Sequence, residues 1–147
     1  MAAGGPDSRA VRLEVDAGAG PDELLRTVGA AAPLVAYVLA AVPPDTRGYD
    51  PDGPADASGF AAMCCDELLV HGWDAASGLG VELLPAEELA AAVLGRLFPW
   101  VPAEPDPWSA LLWANGRIVL PGRPKQWRWR WHVAPLAEWG GQPPSPQ

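Results

Sequence analysis

The residues with the clearest chemistry are a glutamate and a histidine, four positions apart in the segment CDELLVHGWD at 65–74. On an α-helix, Glu67 and His71 lie one turn apart on the same face. A carboxylate oxygen and an imidazole nitrogen can then converge on one divalent ion, and this pairing suits zinc. The same spacing is also common in hydrogen-bonded pairs on ordinary helix surfaces. The sequence therefore supplies two candidate metal donors and leaves both interpretations open.

Three further side chains could support or complete such a site. Asp74 follows His71 by three residues and could orient its ring, although a solvated last helical turn explains it equally well. Cys64 lies one turn before Glu67 but about 10 Å along the helix axis from His71, which favours a buried core thiol over a substitute ligand. His132 is the second of two histidines and lies in the C-terminal tail, so it could be a substitute ligand only if that tail folds back.

The tail contains the segment WRWRWH at 127–132, in which indoles alternate with basic side chains. An extended backbone places the tryptophans on one face and the basic groups on the other. Such alternation can bind single-stranded nucleic acid, but the net charge of −8 argues against that partner. We predict that the tryptophans pack on the helices, and we keep Arg128 and Arg130 as weaker candidates for contacting a polar substrate.

Four helices are predicted to position these residues, giving a mainly α fold. Two long antiparallel helices are expected at about 21–42 and 58–77, and shorter ones near 85–98 and 108–115. The stripe of the second helix that carries Glu67 and His71 should face a core. Residues 1–20 are expected to be a flexible lead with a short strand or linker at 11–16, 45–59 a loop, and 117–147 an extended tail with a disordered end.

The 147 residues have a net charge of −8 and are 49% hydrophobic. That composition predicts one folded domain and argues against anionic membranes as partners. Adjacent Cys64 and Cys65 favour free thiols in a reducing compartment, and the first ten residues contain no apolar signal segment. The apolar stretch 28–42, at about 15 residues, is too short to span a bilayer. We therefore expect a cytoplasmic protein.

Several segments together resemble one bacterial family. ELLVHGWDAASGLG is followed by LGRLFPW, then by DPWSALLWANGRIVLPGRP and WRWHVAPLAEW. This order resembles the mycothiol-dependent maleylpyruvate isomerase family, whose metal-binding domain is a DinB-like helix bundle, over about residues 11–141. The resemblance implies a divalent metal, usually zinc, held by a histidine from an early helix and by the Glu and His of E-x-x-x-H. Glu67 and His71 match the last two of these ligands, and the metal would activate the thiol of mycothiol or polarise the substrate.

The sequence departs from the family pattern at the first ligand, since no histidine precedes His71. The helix beginning at Pro21 resembles the third helix of family members, so the resemblance implies the C-terminal part of a family bundle at 21–116, incomplete by two helices. We expect weak zinc binding and an apolar helix face through which the chain could form a homodimer. Three functions stay open: an isomerase or S-transferase acting on a small-molecule thiol, a degenerate binding or regulatory module, and a truncated gene product.

Overall fold

The computed structural model describes residues 14–143. Its α-helices are α1 (Pro21–Ala41), α2 (Ala57–Gly78), α3 (Glu87–Leu97) and α4 (Pro107–Ala114). Two short strands, β1 (Gly48–Asp50) and β2 (Gly53–Ala55), lie between the first two helices, and a 3-10 turn forms at Leu136–Glu138. About 50% of the structure is helical, which confirms the predicted mainly α fold.

Strands β1 and β2 form an antiparallel hairpin in the segment that the sequence predicts as a loop. Gly48 pairs with Ala55 and Asp50 pairs with Gly53, whose φ of 133° suits glycine. Each strand has three residues, too few for an alternating pattern, and the Pro and Gly content is that of a turn. The loop prediction is therefore wrong for residues 48–55. The expected strand at 11–16 lies partly outside the described residues, and 14–16 form no strand.

The core lies between α2, α3, α4 and the tail. Its most deeply buried large apolar side chains come from the end of α3 and from α4: Leu94, Leu97, Phe98 and Leu111. Trp129 and Trp131 are half-buried against this core, and the Trp129 ring lies 5.9 Å from that of Phe98. Trp127 is 83% exposed, so the predicted packing holds for two of the three tryptophans of the tail.

Helix α1 lies against α2, and none of its residues is buried. The helix runs through Pro33 and has 21 residues, and its most apolar stretch of 18 residues has a mean hydropathy of 1.7, which meets the length and composition of a membrane-crossing helix. The prediction that this apolar segment is too short is therefore wrong, because the helix also includes the turns before residue 28. Core helices of soluble proteins meet the same criterion.

The buried side chain of Arg96 ties three parts of the core together. Its guanidinium donates to Asp56 Oδ1 at 2.6 Å and to Ser58 Oγ at 2.9 Å, both at the start of α2. It also donates to the carbonyl oxygens of His132 and Val133 at 2.9 and 3.1 Å, in the tail. A Cβ atom at Gly59 would collide with the Val133 carbonyl, so glycine is required where the tail crosses α2.

Asp56 has a second role as the N-cap of α2, since its Oδ1 accepts a 2.8 Å hydrogen bond from the Gly59 amide. Burial alone would raise the pKa of Asp56, but the Gly59 amide, the Ser58 hydroxyl and Arg96 together lower it below the ordinary value. The carboxylate is therefore ionised at neutral pH and pairs with Arg96 in its charged form.

We expect the substitution Arg96→Met to lower the free energy of unfolding by roughly 3 kcal/mol, because it leaves a shielded carboxylate and two tail carbonyls without their donor. Urea denaturation at neutral pH measures this change. Arg128→Met is the matched control: Arg128 is exposed in the same tail, and its replacement should change stability by less than about 0.5 kcal/mol. Equal effects of the two substitutions would contradict the role of Arg96.

Candidate functional site

Glu67, His71 and Asp74 lie side by side on α2 and form one chain of contacts. His71 Nε2 is 2.9 Å from Glu67 Oε2, and His71 Nδ1 is 3.3 Å from Asp74 Oδ2. The two carboxylates therefore use opposite nitrogens of the imidazole ring. Both ring nitrogens thus have a carboxylate partner, as in the hydrogen-bonded helix pairs that the same spacing also predicts.

The stripe predicted to face the core also includes Met63, which is buried, but the prediction is wrong for Glu67 and His71. The Glu67 and His71 side chains are 51% and 63% exposed. Helix α2 instead turns Met63, Asp66 and Val70 toward α3 and α4. Burying Glu67 and His71 would desolvate two ionisable side chains and would cost free energy. The buried side of α2 carries one ionisable side chain, Asp66, whose carboxylate accepts hydrogen bonds from Asn115 and Trp131. The pair is thus open to solvent and to ligands.

Asp74 is fixed in turn by Arg117, which follows α4. Arg117 Nη2 donates to Asp74 Oδ2 at 2.9 Å, and Arg117 Nε donates to both oxygens at 3.3 Å. Hydrogen bonds from Arg117 hold the pKa of Asp74 below its ordinary range, although partial burial opposes this. Arg117 Nη1 also donates to the Asn115 carbonyl at 2.9 Å, which anchors the guanidinium to the end of α4. Asp74 is therefore an ionised, immobilised acceptor for the His71 ring.

Cys64 and His132, the substitute ligands considered from sequence, do not form a metal site with Glu67 and His71. Cys64 lines the groove between α1 and α2, where burial raises the pKa of its thiol. His132 belongs to the tail and lies beside the C-terminal end of α3, where its backbone amide donates to the Leu97 carbonyl at 2.8 Å. Its ring Nε2 is 3.2 Å from the Pro135 carbonyl. Within residues 14–143 no group of three or more His, Cys, Asp or Glu side chains is placed to hold a metal ion.

The two arginines considered for substrate contact lie away from the Glu67–His71 pair as well. Arg130 Nε donates to Asp52 Oδ1 at 2.8 Å, and the Trp131 amide donates to the other oxygen of the same carboxylate at 3.0 Å. These bonds join the tail to the hairpin. Arg128 is exposed, and the residues lining the cavity beside His71 include neither arginine.

A cavity of about 220 Å³ opens beside the Glu67–His71 pair. Its walls come from α2, from the end of α4 and from the tail: Asp66, Glu67, Val70, His71, Asn115, Arg117, Trp129 and Trp131. No sequence motif marks Asp66, Asn115 or Arg117 as site residues. The sequence carried no signal for Asp66, because only the fold shows that this carboxylate is buried and needs donors from another segment.

Asp66 is 2% exposed and lies at the inner wall of this cavity. Its Oδ1 accepts a hydrogen bond from Asn115 Nδ2 at 2.9 Å, and its Oδ2 accepts one from Trp131 Nε1 at 3.1 Å. Burial raises the pKa of Asp66 to about 6, and the two hydrogen bonds oppose that rise. The cavity wall thus carries a carboxyl group that gains or loses a proton near neutral pH.

Among residues 14–143, Glu67 and His71 are two potential metal donors that lie together without a third. The 2.9 Å separation of His71 Nε2 and Glu67 Oε2 is close to the roughly 3.3 Å between two donors of one tetrahedral zinc ion. Asp74 holds the other ring nitrogen, so it is suited to orient His71 and not to bind the same ion. A catalytic zinc normally has three protein donors, and residues 14–143 bring together two.

Comparison with known families gives one match. The model of the family described as mycothiol maleylpyruvate isomerase N-terminal domain matches residues 1–76 of the 147. The matched segment contains Glu67, His71 and Asp74, whereas Asn115, Arg117 and the two cavity tryptophans lie beyond it. Neither a curated protein nor a solved structure matches the chain.

The substitution Asp66→Asn should remove a pH dependence of stability. Because the pKa of Asp66 is about 6 in the folded chain against an ordinary 3.8, the folded state binds the proton more tightly. Its stabilising effect is complete below the ordinary value and is lost as the pH rises through 6. Between pH 4 and pH 7.5 the wild type should lose roughly 2 kcal/mol relative to the variant.

Urea denaturation at the two pH values, in buffers containing a chelator, measures this difference. The amide faces two donors, so Asp66→Asn should also lower stability at the acidic pH, and the slope with pH is the decisive quantity. Asp45→Asn, at an exposed aspartate, is the control and should leave the slope unchanged. Parallel slopes for wild type and Asp66→Asn would contradict the assignment.

Proposed function

Because the chain belongs to the mycothiol maleylpyruvate isomerase N-terminal domain family, we propose that it binds a small thiol beside Glu67 and His71 and takes part in metal-assisted isomerisation or S-transfer. The observation that carries the proposal is the orientation of His71. Its Nδ1 faces Asp74, which Arg117 fixes, and its Nε2 and the Glu67 carboxylate lie together at the mouth of the cavity. An ordinary helix surface pair does not require such support from α4.

We propose zinc as the metal, held by Glu67 and His71. When bound, such an ion lowers the pKa of a coordinated thiol and polarises a carbonyl oxygen. Asp74 keeps the His71 ring in the orientation that exposes Nε2, and the two carboxylates keep the local charge favourable to a cation. Asp66 holds Asn115 and Trp131 in place at the inner wall, and its carboxyl can hold a proton there near neutral pH.

The cavity volume limits what enters. At about 220 Å³ it is smaller than the roughly 300–1,000 Å³ of pockets that enclose drug-sized ligands. It suits the cysteinyl end of a thiol cofactor such as mycothiol, or a small acid, with the remainder of the cofactor along the surface. A reducing, cytoplasmic location is part of this proposal, because the cofactor must remain a thiol and Cys64 and Cys65 are both free.

A second candidate function is a binding module without turnover. It is favoured by the count of donors in residues 14–143, where two converge and Cys64 and His132 do not join them. Titration with mycothiol in the presence of zinc, followed by an assay of maleylpyruvate isomerisation, separates the two candidates. Turnover supports the enzyme, and saturable binding without turnover supports the binding module.

We expect the single chain to bind zinc weakly, with a dissociation constant above about 10 μM, a binding free energy weaker than about 7 kcal/mol. Two donors leave the other coordination positions to water, which makes the site weaker than a three-donor catalytic centre. Calorimetric titration of dilute protein measures the affinity. Glu67→Gln and His71→Ala should each abolish the remaining binding.

Two substitutions of the same kinds serve as controls for that titration. Glu82→Gln changes an exposed glutamate outside α2, and His132→Ala changes the histidine of the tail, which does not line the cavity beside His71. Both should leave zinc binding unchanged. Zinc binding that survives Glu67→Gln and His71→Ala but is lost in a control variant would place the metal elsewhere and refute the proposed site.

A further inference from the structure

Helix α1 carries an apolar seam that α2 leaves largely open. Leu24, Val28, Ala31, Val35, Val38 and Val42 follow one another at steps of four and three residues, the spacing by which helices pack in coiled coils and four-helix bundles. Yet Val28 and Val38 are 46% and 60% exposed, and α1 has no buried residue. Partner helices normally cover a seam with this spacing, and α2 covers this one only in part.

The facing side of α2 has the same spacing. Phe60, Cys64, Glu67, His71 and Asp74 follow one another at steps of four and three. The first three line a groove of about 650 Å³ between the two helices, together with α1 side chains such as Val28 and Val35. Glu67 lines both this groove and the cavity beside His71. The metal-donor pair therefore lies where the open groove meets the candidate site.

We propose that two copies of this chain pair through their α1–α2 grooves into a four-helix bundle, and that the Glu67 and His71 of both copies bind one divalent ion. A two-fold axis presents the same groove on both copies, so each α1 covers the groove of the other chain. The second chain raises the donors near one ion from two to four, two carboxylates and two imidazoles, and displacement of one carboxylate by a thiol would leave the three protein donors of a catalytic zinc site. The metal part rests on the proposed function, whereas the pairing rests on the uncovered seam.

The exposed apolar area is large enough for such a pairing. Leu24, Val28, Leu34, Val35 and Val38 of α1 are 37–64% exposed, and Leu68 on the groove wall is 49% exposed. Together these side chains expose on the order of 500 Å² per chain, so pairing would bury on the order of 1,000 Å² from them alone, which is the lower range for a specific interface.

A second copy fits this surface better than a bilayer does, even though α1 is long enough to cross one. The groove is concave, and Asp50 and Glu67 lie on its walls. Hydrocarbon would desolvate both carboxylates, whereas a partner chain brings histidines to the rim beside Glu67. The net charge of −8 further disfavours anionic membrane surfaces.

Sedimentation equilibrium tests the pairing. The wild type should have twice the 15.5 kDa chain mass, and a Val35→Glu/Val38→Glu double variant should have the mass of one chain. Both valines are partly exposed, so the variant should keep its helical circular dichroism and a cooperative thermal transition, at a lower temperature because it lacks the partner chain. The matched control is Val81→Glu/Leu84→Glu, two apolar positions 58% and 70% exposed in the segment after α2, and it should remain a dimer.

A wild type that stays at the mass of one chain at every concentration would overturn the pairing. So would binding of the monomer to phosphatidylcholine vesicles that Val35→Glu/Val38→Glu abolishes, since the seam would then cover a lipid surface. Equal loss of the dimer in the double variant and in the control would also overturn it, because dimerisation would then not depend on the α1–α2 groove.

Zinc titration separates the pairing from the metal site. We expect saturation at half a zinc ion per chain, because one ion binds one dimer. For the same reason, the apparent affinity for zinc should be higher when the titration is repeated at a hundred-fold higher chain concentration. Saturation at one zinc per chain in a monomer, lost in Glu67→Gln and His71→Ala, would overturn the pairing and leave the proposed function intact. A dimer whose zinc uptake is unchanged by those two variants would retain the pairing and refute the metal site.

Discussion

The buried guanidinium of Arg96 is the contact on which the packed half of the molecule depends. It joins the N-cap of α2, the helix α3 and two carbonyl groups of the tail, and no other described side chain hydrogen-bonds to all three parts. Because Asp56 is both the ion-pair partner and the cap of α2, the start of that helix and the path of the tail are fixed by the same charges. A tail of 19 residues without helix, from 117 to 135, is thereby held against the core.

The shape of the candidate site depends on the path of the tail that Arg96 fixes. Trp131 reaches the buried Asp66 only because the tail is held where it crosses α2, and Asn115 and Arg117 reach Asp66 and Asp74 from the end of α4. The residues that could bind a metal lie on one helix, whereas the groups that orient them and enclose the cavity come from two later segments. Stability of the core and geometry of the site are therefore coupled through the same tail.

Helix α2 separates two unlike environments. One face is packed into the core with Asp66 as its single buried carboxylate among the described residues, and the other lies along a groove that α1 covers incompletely. Glu67 and His71 lie at the edge between them. Ionisable donors are stable at such an edge because water reaches them until a ligand or a second chain replaces it. A binding function at this position requires no strained or buried charge in the free protein.

The sequence by itself determined the helices and the donor pair, because helical spacing, capping residues and the four-residue step from Glu67 to His71 are local properties. It also indicated Asp74 as a partner of the ring for the same reason. Only the tertiary structure decided that Met63 is buried with Asp66 and Val70 while Glu67 and His71 stay exposed, since helical spacing places Met63 and Glu67 on one stripe and packing against α3 divides it. The Asp66–Asn115 contact and the anchoring of Asp74 by Arg117 join segments distant in sequence, and the Arg130–Asp52 contact joins the tail to the hairpin at 48–55 in the same way. No local pattern specifies such pairings, because the free energy that selects them comes from side chains meeting across the fold.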